Sequence, residues 1–257
     1  MRTLFKCLGI FPLLLFYVFI VAAVHLFPIP AGTKRNFTIR IASLTARILL
    51  LLLGIRIHVK CRDCLNEKNR GYLIISNHLS YVDVLVLSSL IPSLFITSVE
   101  LKNTPLLGTI AKLGGSIFVE RRKATHLKKE IESIAHIIKQ GFPVVLFPEG
   151  TTSNGDRVMQ FKNSFFASAV VAQADILPIC LRYTRVNNER VTPQNRDTVF
   201  YYGKVTFFQH VPRLLSRKSI DVEVTPLRAI QVRIHHSRKD LAAMAHNALS
   251  TAYHVEP

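Results

Sequence analysis

Three His–Asp pairs in this chain share one spacing, with four residues between the partners: His58 with Asp63, His78 with Asp83, and His235 with Asp240. A neutral imidazole can take the proton from a hydroxyl group as its oxygen attacks a carbonyl carbon. An aspartate beside it fixes the imidazole tautomer and stabilises the imidazolium that forms. Such general-base help is worth about 10²–10⁴-fold in rate. The spacing alone is more often accident than catalysis, so the surroundings must choose. His58 abuts an apolar segment, and His235 stands next to His236 in a charged run, which makes both surface positions. His78 follows a buried-strand pattern at 72–76, and Asp83 falls in the first turn of a helical pattern at 82–90. A turn between them can fold the carboxylate back onto the ring, at the strand ends where sites of α/β sheets collect.

Two other blocks also sit at strand ends. Phe147-Pro148-Glu149-Gly150-Thr151-Thr152-Ser153 closes a strand pattern at 143–147, and taken alone it reads as a turn with an exposed acid. Gly114-Gly115-Ser116-Ile117-Phe118-Val119-Glu120-Arg121-Arg122 puts two arginines just after another strand. Guanidinium groups there can grip phosphate bidentately, although the default reading is a solvated face.

The elements that must position these blocks alternate. Strand patterns fall at 72–76, 94–98, 116–120, 143–147, 176–182, 205–208 and 221–226, and helical patterns at 82–90, 105–113, 127–139 and 237–253. In the helix at 127–139, Ile131, Ile134, Ile137 and Ile138 share one face with charges opposite. The polar stretch 187–197 reads as a loop. The alternation predicts an α/β fold, a layered mixed sheet flanked by helices.

Ahead of that pattern the chain is apolar. Residues 8–27 form a run long enough to cross a bilayer, preceded by Arg2 and Lys6, and a second apolar segment spans 41–57. With Lys34, Arg35 and Arg40 between them, a shallow membrane-embedded helical hairpin, preferred here, or a second helix lying in the interface with its arginines snorkelling, avoids placing the basic connector on the outer face. The expected organisation is therefore 1–60 as membrane-anchoring helices and 61–257 as the catalytic domain. A net charge of +17 suits an anionic membrane surface, and no finger or aromatic-rich signature supports nucleic acid. Cys61 and Cys64 form a lone C-x-x-C without the second ligand pair that zinc requires. With Cys7 and Cys180 they give no disulfide framework, which suits a reducing compartment.

Together the blocks are far more specific than any one of them. In order and spacing they resemble the glycerolipid acyltransferase family that includes 1-acylglycerol-3-phosphate acyltransferases. Ile176-Leu177-Pro178-Ile179 matches that family's fourth block, a proline within an apolar strand, and the likeness covers roughly 74–181. The resemblance implies His78 as the base and Asp83 as its orienting partner, with Asn77, which opens their block, among the substrate-binding residues. It implies that Gly115, Phe118 and Arg121 bind the acceptor phosphate, and that Glu149, Gly150 and Thr151, with Lys162 nearby, contribute to acceptor binding. Arg122 is an extra basic residue.

The resemblance further implies acyl transfer from acyl-CoA or acyl-carrier protein to the free hydroxyl of 1-acyl-glycerol-3-phosphate, giving phosphatidate. Direct attack needs no metal and no cofactor beyond the acyl donor. The expected partners are the lysophospholipid acceptor, the thioester donor and membrane lipids. The expected location is a bacterial inner membrane, with the catalytic domain on its cytoplasmic side. One departure bears on the acceptor: Thr152-Ser153-Asn154-Gly155-Asp156-Arg157 and Phe161-Lys162-Asn163-Ser164 differ from many phosphatidate-forming members and also resemble members acting on lyso-ornithine lipids. A reading from another class, a non-catalytic basic membrane-binding protein, explains the charge and the anchor but not the acids and bases at strand ends.

Overall fold

The computed structural model describes residues 2–65, 71–104, 107–120 and 124–254. Two long helices come first, α1 (Arg2–Leu26) and α2 (Ala31–Leu53). Their mean hydropathies reach 2.7 and 1.6, and at 1.5 Å per residue α1 is about 37 Å long. Tyr17 and Val21 of α1 are buried against the protein, whereas Leu4, Leu8, Phe11 and Leu15 on another side are exposed. An apolar row of that length facing outward is what a lipid-contacting helix requires.

The second apolar segment, expected over 41–57, is two elements. Gly54 ends α2 in the left-handed region at φ 75°, where its N–H reaches the Leu50 and Leu51 carbonyls, and the chain turns into β1 (Ile55–Val59). A β-carbon at Gly54 would lie 2.4 Å from the Lys218 carbonyl oxygen, so only glycine fits. The sheet thus begins at Ile55.

The remaining strands are β2 (Leu73–Ser76), β3 (Leu94–Ser98), β4 (Ile117–Val119), β5 (Val144–Leu146), β6 (Ile176–Val186), β7 (Glu189–Arg190) and β8 (Ile220–Pro226). They form one sheet in the order β1-β8-β6-β2-β5-β3-β4, with the short β7 paired to β6 inside the segment expected as loop. From β6 to β4 neighbours are parallel, and β8 runs antiparallel to β6, so the sheet is mixed.

Helices cover both faces. In β2, Ile74 packs into one apolar cluster, and Leu73 and Ile75 pack into the other. The first cluster is completed by α3 (Val82–Leu90), by the end of α2 and by α8 (Phe207–Ser216). The second is completed by α6 (Ala124–Lys139), α7 (Ala167–Ala172) and α9 (Arg238–His254). The short α4 (Val99–Lys102) and α5 (Leu107–Leu113) link β3 to β4. Burial on both faces explains the near-continuous apolar runs that mark these strands in the sequence.

Two expectations need correcting. The run 205–208 is not a strand: Thr206 caps α8, its side chain and that of Gln209 bonding reciprocally to each other's backbone N–H. A four-residue apolar run cannot distinguish strand from helix, and the Thr-x-x-Gln capping box was the signal that could have. Cys61 and Cys64, expected to form no disulfide, are joined in one just beyond β1.

Candidate active site

β2 delivers the chain to the edge where its parallel neighbours also end. Asn77, the first residue beyond it, is buried and ties the turn to β6. Its amide donates to the Leu181 carbonyl (2.9 Å), and its carbonyl accepts the Leu181 N–H (2.8 Å). His78 follows. Its main chain is clamped at both ends, its N–H donating to Glu149 Oε1 (2.8 Å) and its carbonyl accepting the Ser153 N–H (2.9 Å). Its ring lies flat on Phe147, with centroids 3.9 Å apart and planes 13° from parallel. The loops after β2 and β5 therefore hold one imidazole between them.

Asp83, in the first turn of α3, is fully buried. Its Oδ2 accepts from His78 Nδ1 (2.9 Å) and from the backbone N–H groups of Leu79 (2.6 Å) and Ser80 (2.8 Å). Its Oδ1 accepts from the Tyr183 hydroxyl (2.6 Å). These donors and the positive end of α3 offset the loss of water around the charge. With Nδ1–H committed to Asp83, the lone pair is on Nε2, for which no bond is seen among the described residues. The His78 side chain is 18% exposed, so Nε2 is within reach of a substrate.

The Glu149 carboxylate is turned inward. Besides the His78 N–H, it accepts that of Met159 (3.2 Å), and only 3% of the residue is exposed. Burial pushes its pKa up to about 7 against the pull of those two backbone donors, and the nearby Asp83 charge adds to the rise. Gly150 turns at φ 75°, and a β-carbon there would meet Lys162 Nζ at 2.9 Å, so the lysine lies across the turn. Lys162 also donates its backbone N–H to the Pro148 carbonyl (2.9 Å), and Thr151 and the lysine side chain are exposed. An open cleft of about 530 Å³, lined in part by Ser153, Arg157, Met159 and Tyr202, adjoins these loops.

The second block runs the length of β4, so Gly115, ahead of the strand, lies at the edge opposite His78, and only its later residues approach the site edge. Gly115 lies in the turn before β4, 3.0 Å from Leu94 for an added β-carbon, and the half-buried Phe118 pairs with Thr97 of β3. Three strand spacings separate β4 from β2, about 14 Å. Arg121 and Arg122 lie outside the described residues.

Two contributors were missed in the sequence. Tyr183, fully buried on β6, holds Asp83, and burial raises its hydroxyl pKa well above the ordinary value, with the Asp83 charge adding to the effect. Phe147 was within a recognised block, but nothing in its type announced that it carries the His78 ring.

Residues 56–182 match the Acyltransferase family. A lyso-ornithine lipid O-acyltransferase from Brucella abortus is 32% identical over 223 residues, covering 83% of this chain and 82% of that protein. A 1-acyl-sn-glycerol-3-phosphate acyltransferase from Neisseria gonorrhoeae is 29% identical over 158 residues, 62% of this chain and 60% of that one. The crystal structure of the 1-acyl-sn-glycerophosphate (LPA) acyltransferase PlsC from Thermotoga maritima superposes with a TM-score of 0.68 at 17% identity, covering 98% and 95% of the two chains. The shared fold includes the mixed sheet and both apolar N-terminal helices.

Proposed function

The chain belongs to the acyltransferase family, and on that premise we propose that it transfers a fatty acyl group from acyl-CoA or acyl-carrier protein to the free hydroxyl of 1-acyl-glycerol-3-phosphate, forming phosphatidate. The observation that carries this reading is the His78–Asp83 bond at the lip of the sheet. His78 Nε2 takes the hydroxyl proton while the hydroxyl oxygen attacks the thioester carbonyl carbon. The tetrahedral intermediate then expels the thiolate, which recovers the proton from the imidazolium. Asp83 holds the ring and balances its transient charge. Lys162, lying over Gly150, and Arg121 beyond β4 would attract the acceptor phosphate, with Phe118 and Thr151 shaping the path between them, whereas Gly115, at the far end of β4, only turns the chain. Asn77, Glu149 and Gly150 keep the loops in register.

In this proposal α1 and α2 anchor the protein, and the sheet domain, which begins at Ile55 rather than at residue 61, carries out the reaction. The two apolar helices and the membrane-lipid names of the relatives support membrane association. The proposed location is the cytoplasmic face of a bacterial inner membrane, where acyl thioesters are available.

A second reading keeps the chemistry and makes a lyso-ornithine lipid the acceptor. The 32% identity to the Brucella abortus protein over 82% of its length favours it, as do the departures at 152–157 and 161–164. Purified protein given one labelled acyl-CoA and a panel of lysolipids separates the two. Labelled phosphatidate as the main product supports the first reading. Selective acylation of lyso-ornithine lipid would replace it and remove the phosphate-binding role from Arg121.

A further inference from the structure

The ten-residue helix α8 is firmly seated. His210, Leu214 and Leu215 are buried, and the Thr206–Gln209 cap fixes its start. The opposite side points away from the protein, where Phe208 is 70% exposed and is followed one turn later by exposed Pro212 and Arg213. One exposed ring is ordinary on its own, and its surroundings decide whether it is covered.

Two independent observations say what covers it. The first is continuity: α8 packs against α1. Lys6 of α1 donates to the carbonyls of Leu53 and Arg217, each at 2.7 Å, tying the start of the anchor to the end of α8. α8 thus adjoins, at the end away from Phe208, a helix whose outer row is apolar and exposed. The second is charge: residues 198–220 contain no aspartate or glutamate but do contain Lys204, Arg213, Arg217 and Lys218. Among the described residues, Lys204, Arg213 and Lys218 form no ion pair.

We propose that α8 is a second membrane contact, with Phe208 seated at the boundary of head groups and acyl chains and Lys204, Arg213 and Lys218 on anionic head groups. The contact bears on the site. Tyr81, between His78 and Asp83, is bonded through its hydroxyl to His210 Nδ1 (3.0 Å) and meets the Phe207 ring edge-on at 5.1 Å. Tyr201, just ahead of α8, donates its N–H to the Leu79 carbonyl (2.9 Å). Seating α8 on lipid thus sets the height of the His78 loop above the bilayer. The proposal is independent of the acceptor's identity.

The chain contains no tryptophan, so a single introduced one reports its own surroundings. Full-length Phe208→Trp, Phe11→Trp on α1 and Met244→Trp on α9 are reconstituted into phosphatidylcholine vesicles, with or without phosphatidylglycerol, carrying brominated acyl chains. Emission from Phe208→Trp should move to shorter wavelength and be quenched, more strongly with phosphatidylglycerol and less strongly when Arg213→Glu is added. Met244→Trp should show neither effect. If Phe11→Trp is quenched and Phe208→Trp is not, the α1 anchor stands and this proposal falls. A shorter-wavelength emission from Phe208→Trp that grows with protein concentration in detergent, without bromine quenching in vesicles, would assign the surface to a second copy of the chain and overturn it equally.

Discussion

A carboxylate with the burial of Asp83 costs several kcal/mol unless donors replace its lost water, and four groups do so here: His78 Nδ1, two backbone amides and the Tyr183 hydroxyl. Glu149, a few residues beyond the strand next door, has only two backbone donors and a pKa near 7. That difference predicts a pH-dependent stability. A carboxyl whose folded pKa lies above its unfolded value of 4.5 holds its proton more tightly when folded. Its contribution is therefore fully present below 4.5 and is lost as pH rises through about 7. At about 1.4 kcal/mol for each pH unit of separation, the swing is about 3 kcal/mol. Glu149→Gln has no proton to lose there, so wild type should lose stability relative to it between about pH 4.5 and about pH 7.5 in denaturant melts. A gap that stays constant with pH would show that Glu149 ionises as freely folded as unfolded.

Between elements, the coupling that matters runs from β6 to α3. Tyr183 and Asp83 are 100 positions apart in the chain and 2.6 Å apart in space. Tyr183→Phe keeps the ring and its packing against Phe200 while removing one donor to Asp83. It should lower kcat by about tenfold, equivalent to one charge-assisted hydrogen bond, with the KM for acceptor little changed. An unchanged kcat would free Asp83 of any dependence on β6. This contact also marks where legibility ends. His78 and Asp83 could be read because they lie on consecutive elements whose apolar run and helical period are local, and Glu149 because it closes such a run. Tyr183 could not, since no local pattern tells a buried tyrosine that donates from one that merely packs. Likewise β1 was hidden behind an apolar segment that continues unbroken past Gly54, and α8 behind a run too short to show a period. The sheet's layered character followed from the alternation of patterns, whereas its order, with β8 inserted beside β1, depends on pairings that single-chain periodicity does not encode.

At the scale of the molecule, the parts answer to one kind of substrate. The apolar outer row of α1, the net charge of +17 and a site at the lip of a sheet suit a substrate that never leaves the bilayer surface. In the proposed reaction both the acceptor and the acyl product are held in lipid, so the protein would have to bring only the base and the thioester to the hydroxyl. The central claim is that His78 is that base. The most direct measurement is the rate of label transfer from an acyl thioester to lysolipid in vesicles, for wild type and for His78→Ala at equal amounts of membrane-bound protein. The account predicts a loss of about 10²–10⁴-fold with membrane association intact. Turnover by His78→Ala close to that of wild type would contradict it.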